Sequence, residues 1–399
     1  MVENHEPSPS GMLSRRRLLQ GGLVGGIGLV AVPLIGCGDD DQATTDTEPE
    51  AQGGQEPSGQ LTEFTNQAST SGPTFSRTLN FVAADVGFFE MEGLSVIHEF
   101  PGAARSVQLV VAGQGDTAGA TPESIMNAFN EDFDVRAVWT SGRGGFFVFA
   151  VAADSPITEW SVDTVRGTRI GISEFAGGEV ALLRGAIHRL GLIEGEDVEL
   201  VPIGEGGPET VEAIRSGAVQ IMAMSTPDVS ALAGRGVELR TITPDYIGNF
   251  PRNSEVVTVD TLQNDRQNLV GYLRGLSKAI IFIRENPIAA AQIMRVNHPE
   301  GSDGLTDEEI AEQIDILLTQ ASDVFFEEGT PFMGKIGQQD EAAWADYNQF
   351  LVDANVEVAE GLTMEPVDTS QLVTNELIDE VNDFDSEEVI QFSKDYPVD

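Results

Sequence analysis

Cysteine occurs once, at Cys37, in a chain of 399 residues, so no intramolecular disulfide and no multi-cysteine metal site can form. Lysine is nearly missing too: Lys278, Lys335 and Lys394 are the only three, and the other basic residues are arginines. Positive charge as a whole is scarce, with 22 basic against 65 acidic residues and a formal net charge of −43. Such a surface repels phosphate backbones and excludes a nucleic-acid partner. The four histidines, His5, His98, His188 and His298, form no His-Glu-x-x-His pattern, and no Gly-x-Ser-x-Gly or Walker lysine motif is present. The chain is therefore expected to be no enzyme, with no catalytic residue, no metal site and no cofactor.

What is present is globular in character. Hydrophobic residues make up 41% of the chain, and a length of this order suggests two domains of about 100 to 200 residues each. Few lysines beside a large acidic excess resemble the proteins of extreme halophiles, in which a hydrated carboxylate surface stays soluble while molar salt shortens screening to about 3 Å.

Ahead of Cys37 stands Ser14-Arg15-Arg16-Arg17-Leu18-Leu19, then an apolar, glycine-rich run ending Leu34-Ile35-Gly36-Cys37. A charged start, a short apolar stretch and a small-residue cut site read as an export signal. The arginine pair resembles a twin-arginine signal, and Leu-Ile-Gly-Cys resembles a lipobox whose cysteine becomes the lipidated first residue. Six glycines and Pro33 between Leu18 and Cys37 disfavour the alternative of a spanning helix of about 20 residues. Residues 1–36 are thus expected to be removed, leaving a protein of charge −44, since three arginines and two glutamates go with them. Residues 37–60 are polar and of low complexity, which suits a disordered tether.

From residue 61 strands and helices alternate. Strand patterns cover 61–67, 96–100, 117–120, 135–140 and 146–152, with helical stretches at 75–84 and 104–112. The alternation restarts with a strand at 168–172, a helix at 179–190, a strand at 198–201, a helix at 208–216 and a strand at 221–224. This is the pattern of an α/β fold with a largely parallel sheet. The two runs carry a weak internal repeat. Val111-Ala112-Gly113-Gln114-Gly115-Asp116 leads into Thr117–Ala120 and Thr121-Pro122, as Arg215-Ser216-Gly217-Ala218-Val219-Gln220 leads into Ile221–Met224 and Ser225-Thr226-Pro227. In each, a helix ends at glycine, a short strand follows, and a hydroxyl residue before proline opens the next helix. A strand at 255–259, a helix at 269–285 and a helix at 306–321, opened by the capping box Thr306-Asp307-Glu308-Glu309, follow. The acidic stretch 379–388 reads as a solvated face.

Ala83-Ala84-Asp85-Val86-Gly87-Phe88-Phe89-Glu90-Met91-Glu92-Gly93-Leu94-Ser95-Val96 resembles a passage of the substrate-binding proteins of ABC importers, of the nitrate, sulfonate, taurine and thiamine-precursor type. Gly113-Gln114-Gly115-Asp116, Ser155-Pro156-Ile157 with 165–172, Gly191-Leu192 with Asp197-Val198, and Asn286-Pro287 continue it in order, over residues 61–295. Two positions depart: Gln220 stands for the usual aspartate, and Gly177-Gly178 for the usual Gly-Ser pair. The resemblance implies a two-lobed periplasmic-binding-protein type II fold, a ligand cleft between the lobes and a helical C-terminal region. Lobe one is expected over 61–152 plus 256–399 and lobe two over 153–255, with crossing strands near Val151 and Val256 as the hinge.

In open α/β sheets ligands sit beyond the carboxyl ends of strands, where helix N-termini offer free N–H groups. Loops so placed carry Ser69-Thr70, Thr121, Ser141 to Gly145, Ser173 with Gly177-Gly178, and Ser225-Thr226. Each hydroxyl could equally be a helix cap. Arg143, set between Gly142 and Gly144, offers a fork for an oxyanion, or a surface ion pair. Glu123, Glu174 and Glu179 lie in the same loops and would suit an amine or a heterocycle instead. The expected ligand-binding set is Ser69, Thr70, Thr121, Arg143, Gly144, Ser173, Gly177, Gly178, Ser225 and Thr226. The expected function is an extracytoplasmic, lipid-anchored, monomeric receptor that hands a small molecule to an ABC permease at the membrane. The alternatives are a thiamine-pyrimidine-synthase-like enzyme of the same fold and a sensory receptor.

Overall fold

The computed structural model describes residues 60–399, except 71, 145, 176, 300, 301, 303, 304, 327–334, 360, 361 and 399. The expected signal sequence, Cys37 and all of the expected tether but Gln60 lie outside the described residues. Two five-stranded sheets organise the chain. The first contains β1 (Thr62–Ala68), β2 (Leu94–Glu99), β3 (Thr117–Ala120), β4 (Val135–Thr140) and β10 (Ser254–Thr258), in the order β2-β1-β3-β10-β4. The second contains β5 (Phe147–Ala152), β6 (Arg169–Ile172), β7 (Glu199–Pro202), β8 (Ile221–Ser225) and β9 (Leu239–Thr241), in the order β7-β6-β8-β5-β9.

The sheets share one topology. In each, four strands run in one direction and the fifth, which follows a crossing, is antiparallel to its two neighbours: β10 lies between β3 and β4, and β5 between β8 and β9. β3 and β8 hold equivalent places, so the repeat between 111–122 and 215–227 reflects two halves of one plan. The chain passes between sheets at 141–146 and again at 242–253. β5 therefore belongs wholly to the second sheet, and the expected boundary at 152/153 falls one strand late. The expected boundary near 255/256 falls inside β10. β9 has no counterpart among the strands expected from the sequence. The helix expected over 306–321 is helical from Asp307 to Ile314, opened by the Thr306–Glu309 capping box, and runs on as a π-helical segment, Asp315–Thr319.

The long helix Arg266–Glu285 buries Leu269, Leu273, Leu276, Ile280 and Ile283, spaced three or four apart, against β1 and the helix Thr78–Asp85. A second core does not respect the division into sheets. It joins Ile125 and Val135 of the first half, Ile170 and Leu183 of the second, and Trp344, Tyr347 and Phe350 of the helix Glu341–Asp353. Gly185 makes this docking possible, since a Cβ there would lie 2.3 Å from the Phe350 ring. The stretch 256–399, expected in lobe one, thus packs on both halves. Each large apolar side chain buried here contributes about 1.5 to 3 kcal/mol.

Candidate functional site

Where the two sheets face each other lies a cleft of about 610 Å³, a size suited to a small organic molecule. Its walls come from the ends of β1, β3, β6 and β8 and from the turns that open helices behind them. Seven of the ten expected residues line it: Ser69, Thr70, Thr121, Ser173, Gly177, Gly178 and Ser225. Arg143, Gly144 and Thr226 do not.

The reasons are local. Arg143 turns to the C-terminal region, its Nη2 3.1 Å from Asp340, which caps the helix Glu341–Asp353. Gly144 has φ of +54°, and a Cβ there would meet the Gly248 carbonyl at 2.2 Å, so glycine serves the close approach of the two crossings. Its amide donates to Phe250 O at 3.1 Å and is not offered to the cleft. Thr226 starts its helix with its amide on Phe146 O. Several lining hydroxyls also cap or brace: Ser225 forms a capping box with Asp228, and Thr121 Oγ1 lies 2.9 Å from Ser124 Oγ.

Two arginines that sequence reasoning missed line the cleft from the first half. Arg77, at the end of the turn Phe75–Arg77, is 9% exposed. Gly119 leaves room for it, because a Cβ there would sit 3.1 Å from Arg77 Nη1. Its guanidinium donates to Asn66 Oδ1 at 3.0 Å and makes no ion pair among the described residues. Asn66 in turn donates to Glu255 Oε2 at 3.2 Å, which also accepts from Thr117 Oγ1 at 2.9 Å. Burial raises the Glu255 carboxyl above its ordinary range, while Arg77 opposes this. Arg252 donates to Gly144 O at 3.0 Å and to Leu317 O at 2.6 Å, tying the first crossing to the π-helical segment. Burial, with no carboxylate in ion-pair contact among the described residues, pushes it down to about 10. A cation just ahead of the helix Thr78–Asp85 opposes the helix dipole, and that misplacement was the one signal that could have flagged Arg77.

The opposite wall is acidic. Glu174, Glu179, Glu205 and Asp228 line it. Glu179 Oε1 accepts from Ser173 N at 2.7 Å and Oγ at 2.6 Å, and Asp228 Oδ2 accepts from Ser225 Oγ at 2.5 Å. Burial raises Glu179, and burial with the neighbouring Glu205 raises Asp228 to about 6. Apolar contact comes from Phe75, Trp139, Phe146 and Phe147, and from Leu305, Leu317 and Leu318 of the C-terminal region. Among the described residues, no three His, Cys, Asp or Glu side chains cluster as a metal ion would require.

Two α/β halves of identical topology, exchanging one strand each and facing across a ligand-sized cleft, define the periplasmic-binding-protein fold. The chain belongs to the NMT1/THI5-like family, whose model matches residues 75–290, which bears out the resemblance read from the sequence. Leu305, Leu317 and Leu318 stand outside that span. Among solved structures, the chain is similar to the periplasmic aliphatic sulphonate binding protein SsuA from Escherichia coli, at 17% identity and TM-score 0.52, over 68% of this chain and 95% of that one. It is similar to the periplasmic nitrate-binding protein NrtA from Synechocystis PCC 6803, at 10% identity and TM-score 0.56, over 85% and 99%. A DszB mutant in complex with biphenyl-2-sulfinic acid aligns at 17% identity and TM-score 0.53, over 80% and 98%. No curated protein gives a significant match.

Proposed function

We propose that the protein is an extracytoplasmic solute receptor that captures a small molecule bearing an oxyanion and delivers it to an ABC permease without chemical turnover. The observation that carries this reading is Arg77: a buried cation on the cleft wall, held by one neutral hydrogen bond, near Glu255 but in ion-pair contact with no carboxylate among the described residues. Burying a charge is costly unless a partner arrives, and a sulfonate or related anion supplies one through a charge-assisted fork. Ser69, Thr70 and Thr121 stand on the same side to complete the hydrogen bonding, and Ser173, Gly177, Gly178 and Ser225 meet the ligand from the other. Contacts from both halves would favour the closed form. Sulfonate- and nitrate-binding neighbours of this fold support the choice of ligand class.

Export through the twin-arginine route and lipidation of Cys37 complete the proposal: the tether would hold a monomeric receptor at the outer face of the membrane. Among the described residues no helix is long and apolar enough to cross a membrane.

The test is calorimetry against nitrate, alkylsulfonates, bicarbonate and a pyrimidine in molar chloride. Arg77→Ala removes a charge-assisted contact of about 1.5 to 3 kcal/mol, so affinity for the best anion falls roughly ten- to a hundredfold. Arg143→Ala, at a side chain that pairs with Asp340 and is not part of the lining, leaves it unchanged. An unaltered affinity in the Arg77 variant refutes the oxyanion assignment.

A further inference from the structure

Between the guanidinium of Arg77 and the carboxyl of Glu255 lies a gap floored by Gly119, and all three residues line the cleft. A Cβ on Gly119 would meet Arg77 Nη1 at 3.1 Å and Glu255 Oε1 at 3.3 Å. The two side chains thus face one point without closing into an ion pair, and the glycine keeps that point open. Asn66 holds them there, accepting from Arg77 Nη2 at 3.0 Å on Oδ1 and donating from Nδ2 to Glu255 Oε2 at 3.2 Å. Thr117 Oγ1 donates to the same Oε2 at 2.9 Å, so Oε1 is the oxygen turned to the gap. The charged and titratable groups that face Glu255 are Arg77 and, from the helix Arg266–Glu285, Tyr272. His98 lies one hydrogen bond further off, its Nδ1 3.3 Å from Asn66 Oδ1, and burial holds it neutral, down to about 3.

An oxyanion oxygen that accepts from Arg77 Nη1 above Gly119 also comes against Glu255 Oε1. Two acceptor oxygens share such a space only with a proton between them. We infer that Glu255 is a ligand-linked proton site: the anion that reaches Arg77 binds together with one proton, which the Glu255 carboxyl takes from the medium and donates to the nearest ligand oxygen. The inference rests on the oxyanion reading above and adds a second bound species to it. Arg77 is the charge that opposes the rise of the Glu255 carboxyl on burial. An anion on Arg77 cancels that field, which lifts the carboxyl further. Binding therefore strengthens as pH falls.

Nitrate and propanesulfonate test this, because their conjugate acids are strong and any proton counted between pH 5 and 8 belongs to the protein. Calorimetry of each in molar chloride, in buffers of different ionisation enthalpy, is expected to show uptake approaching one proton per anion. Affinity should weaken with rising pH by up to about tenfold per unit, the limit for one linked proton. Glu255→Gln should bind without uptake, with an affinity flat in pH and tighter than the wild type at pH 8. Thr117→Val removes a donor to Oε2 and should move the uptake window to higher pH, a shift that a purely structural role would not produce; it carries the assignment should Glu255→Gln fold poorly. Anion binding without uptake at any pH from 5 to 8 overturns the inference while the receptor reading stands. Uptake that persists in Glu255→Gln overturns it as well, because the proton then sits elsewhere. If neither probe binds at millimolar concentration, the oxyanion reading and the inference fall together.

Discussion

Glu123 stands where the halves are joined, wholly buried, with the Tyr347 hydroxyl donating to its Oε2 at 3.4 Å. Burial raises its carboxyl from an ordinary 4.5 to about 7, and the nearby Glu179 adds to the rise. A carboxyl raised in the folded state gives stability that is complete below the unfolded value and is lost as pH climbs through the folded one. The gap between 4.5 and about 7 corresponds, at about 1.36 kcal/mol per pH unit, to about 3 kcal/mol. Glu123→Gln, neutral at every pH and nearly isosteric, is free of this penalty. We expect the variant to match the wild type near pH 4.5 and to become more stable by up to about 3 kcal/mol at pH 8, with most of the change between pH 5 and 7. Denaturant unfolding in molar salt at a series of pH values measures it. Glu179 and Asp228 titrate in both proteins and largely cancel from the difference. A stability difference constant from pH 5 to 8 would refute the reasoning, because it would mean that Glu123 ionises in the fold as it does in water.

Three further outcomes are expected. With a charge of −44 after removal of residues 1–36, stability should rise with potassium chloride as carboxylate repulsion is screened, and loosen below a few tenths molar, where the Debye length exceeds roughly 5 Å; a flat melting temperature contradicts this. Cys37→Ser should release the protein from the membrane fraction into the medium, and unchanged retention on fractionation counts against lipidation. Gly144→Ala, with its Cβ directed at the Gly248 carbonyl, should destabilise the fold by about 1 kcal/mol or more through strain at a positive φ, read from the denaturant midpoint.

The fold was legible because its signals are local and repeated. Thr117–Ala120 and Ile221–Met224 each read as a short buried strand between a glycine-ended helix and a hydroxyl-proline start, and each occupies the same place in its sheet. The assignment of Phe147–Ala152 to a sheet was not legible, since its apolar run suits either one and only pairing with β8 and β9 decides. Leu239–Thr241 is three residues long and half-buried, too short for any period to register. In the site, hydroxyls at helix starts could be found from chain order alone. The arginines could not. Arg77 acquires its meaning from Asn66 and Glu255, which lie 189 residues apart in the chain. Arg143 stands between Gly144, which lets two chain crossings touch, and Gly142, which leaves room for the Ala321 carbonyl.

The helix Glu341–Asp353 inserts Trp344, Tyr347 and Phe350 into a core common to both halves. The halves are therefore expected to unfold together in a single denaturant transition, because exposing the underside of one strips the apolar cover from the other. A ligand that grips residues at the cleft consequently protects amides far from it, because opening anywhere along this spine draws on the same free energy. Any motion of one half against the other is expected to be smallest beside this helix, where Phe350 lies against Gly185, and widest at the cleft mouth.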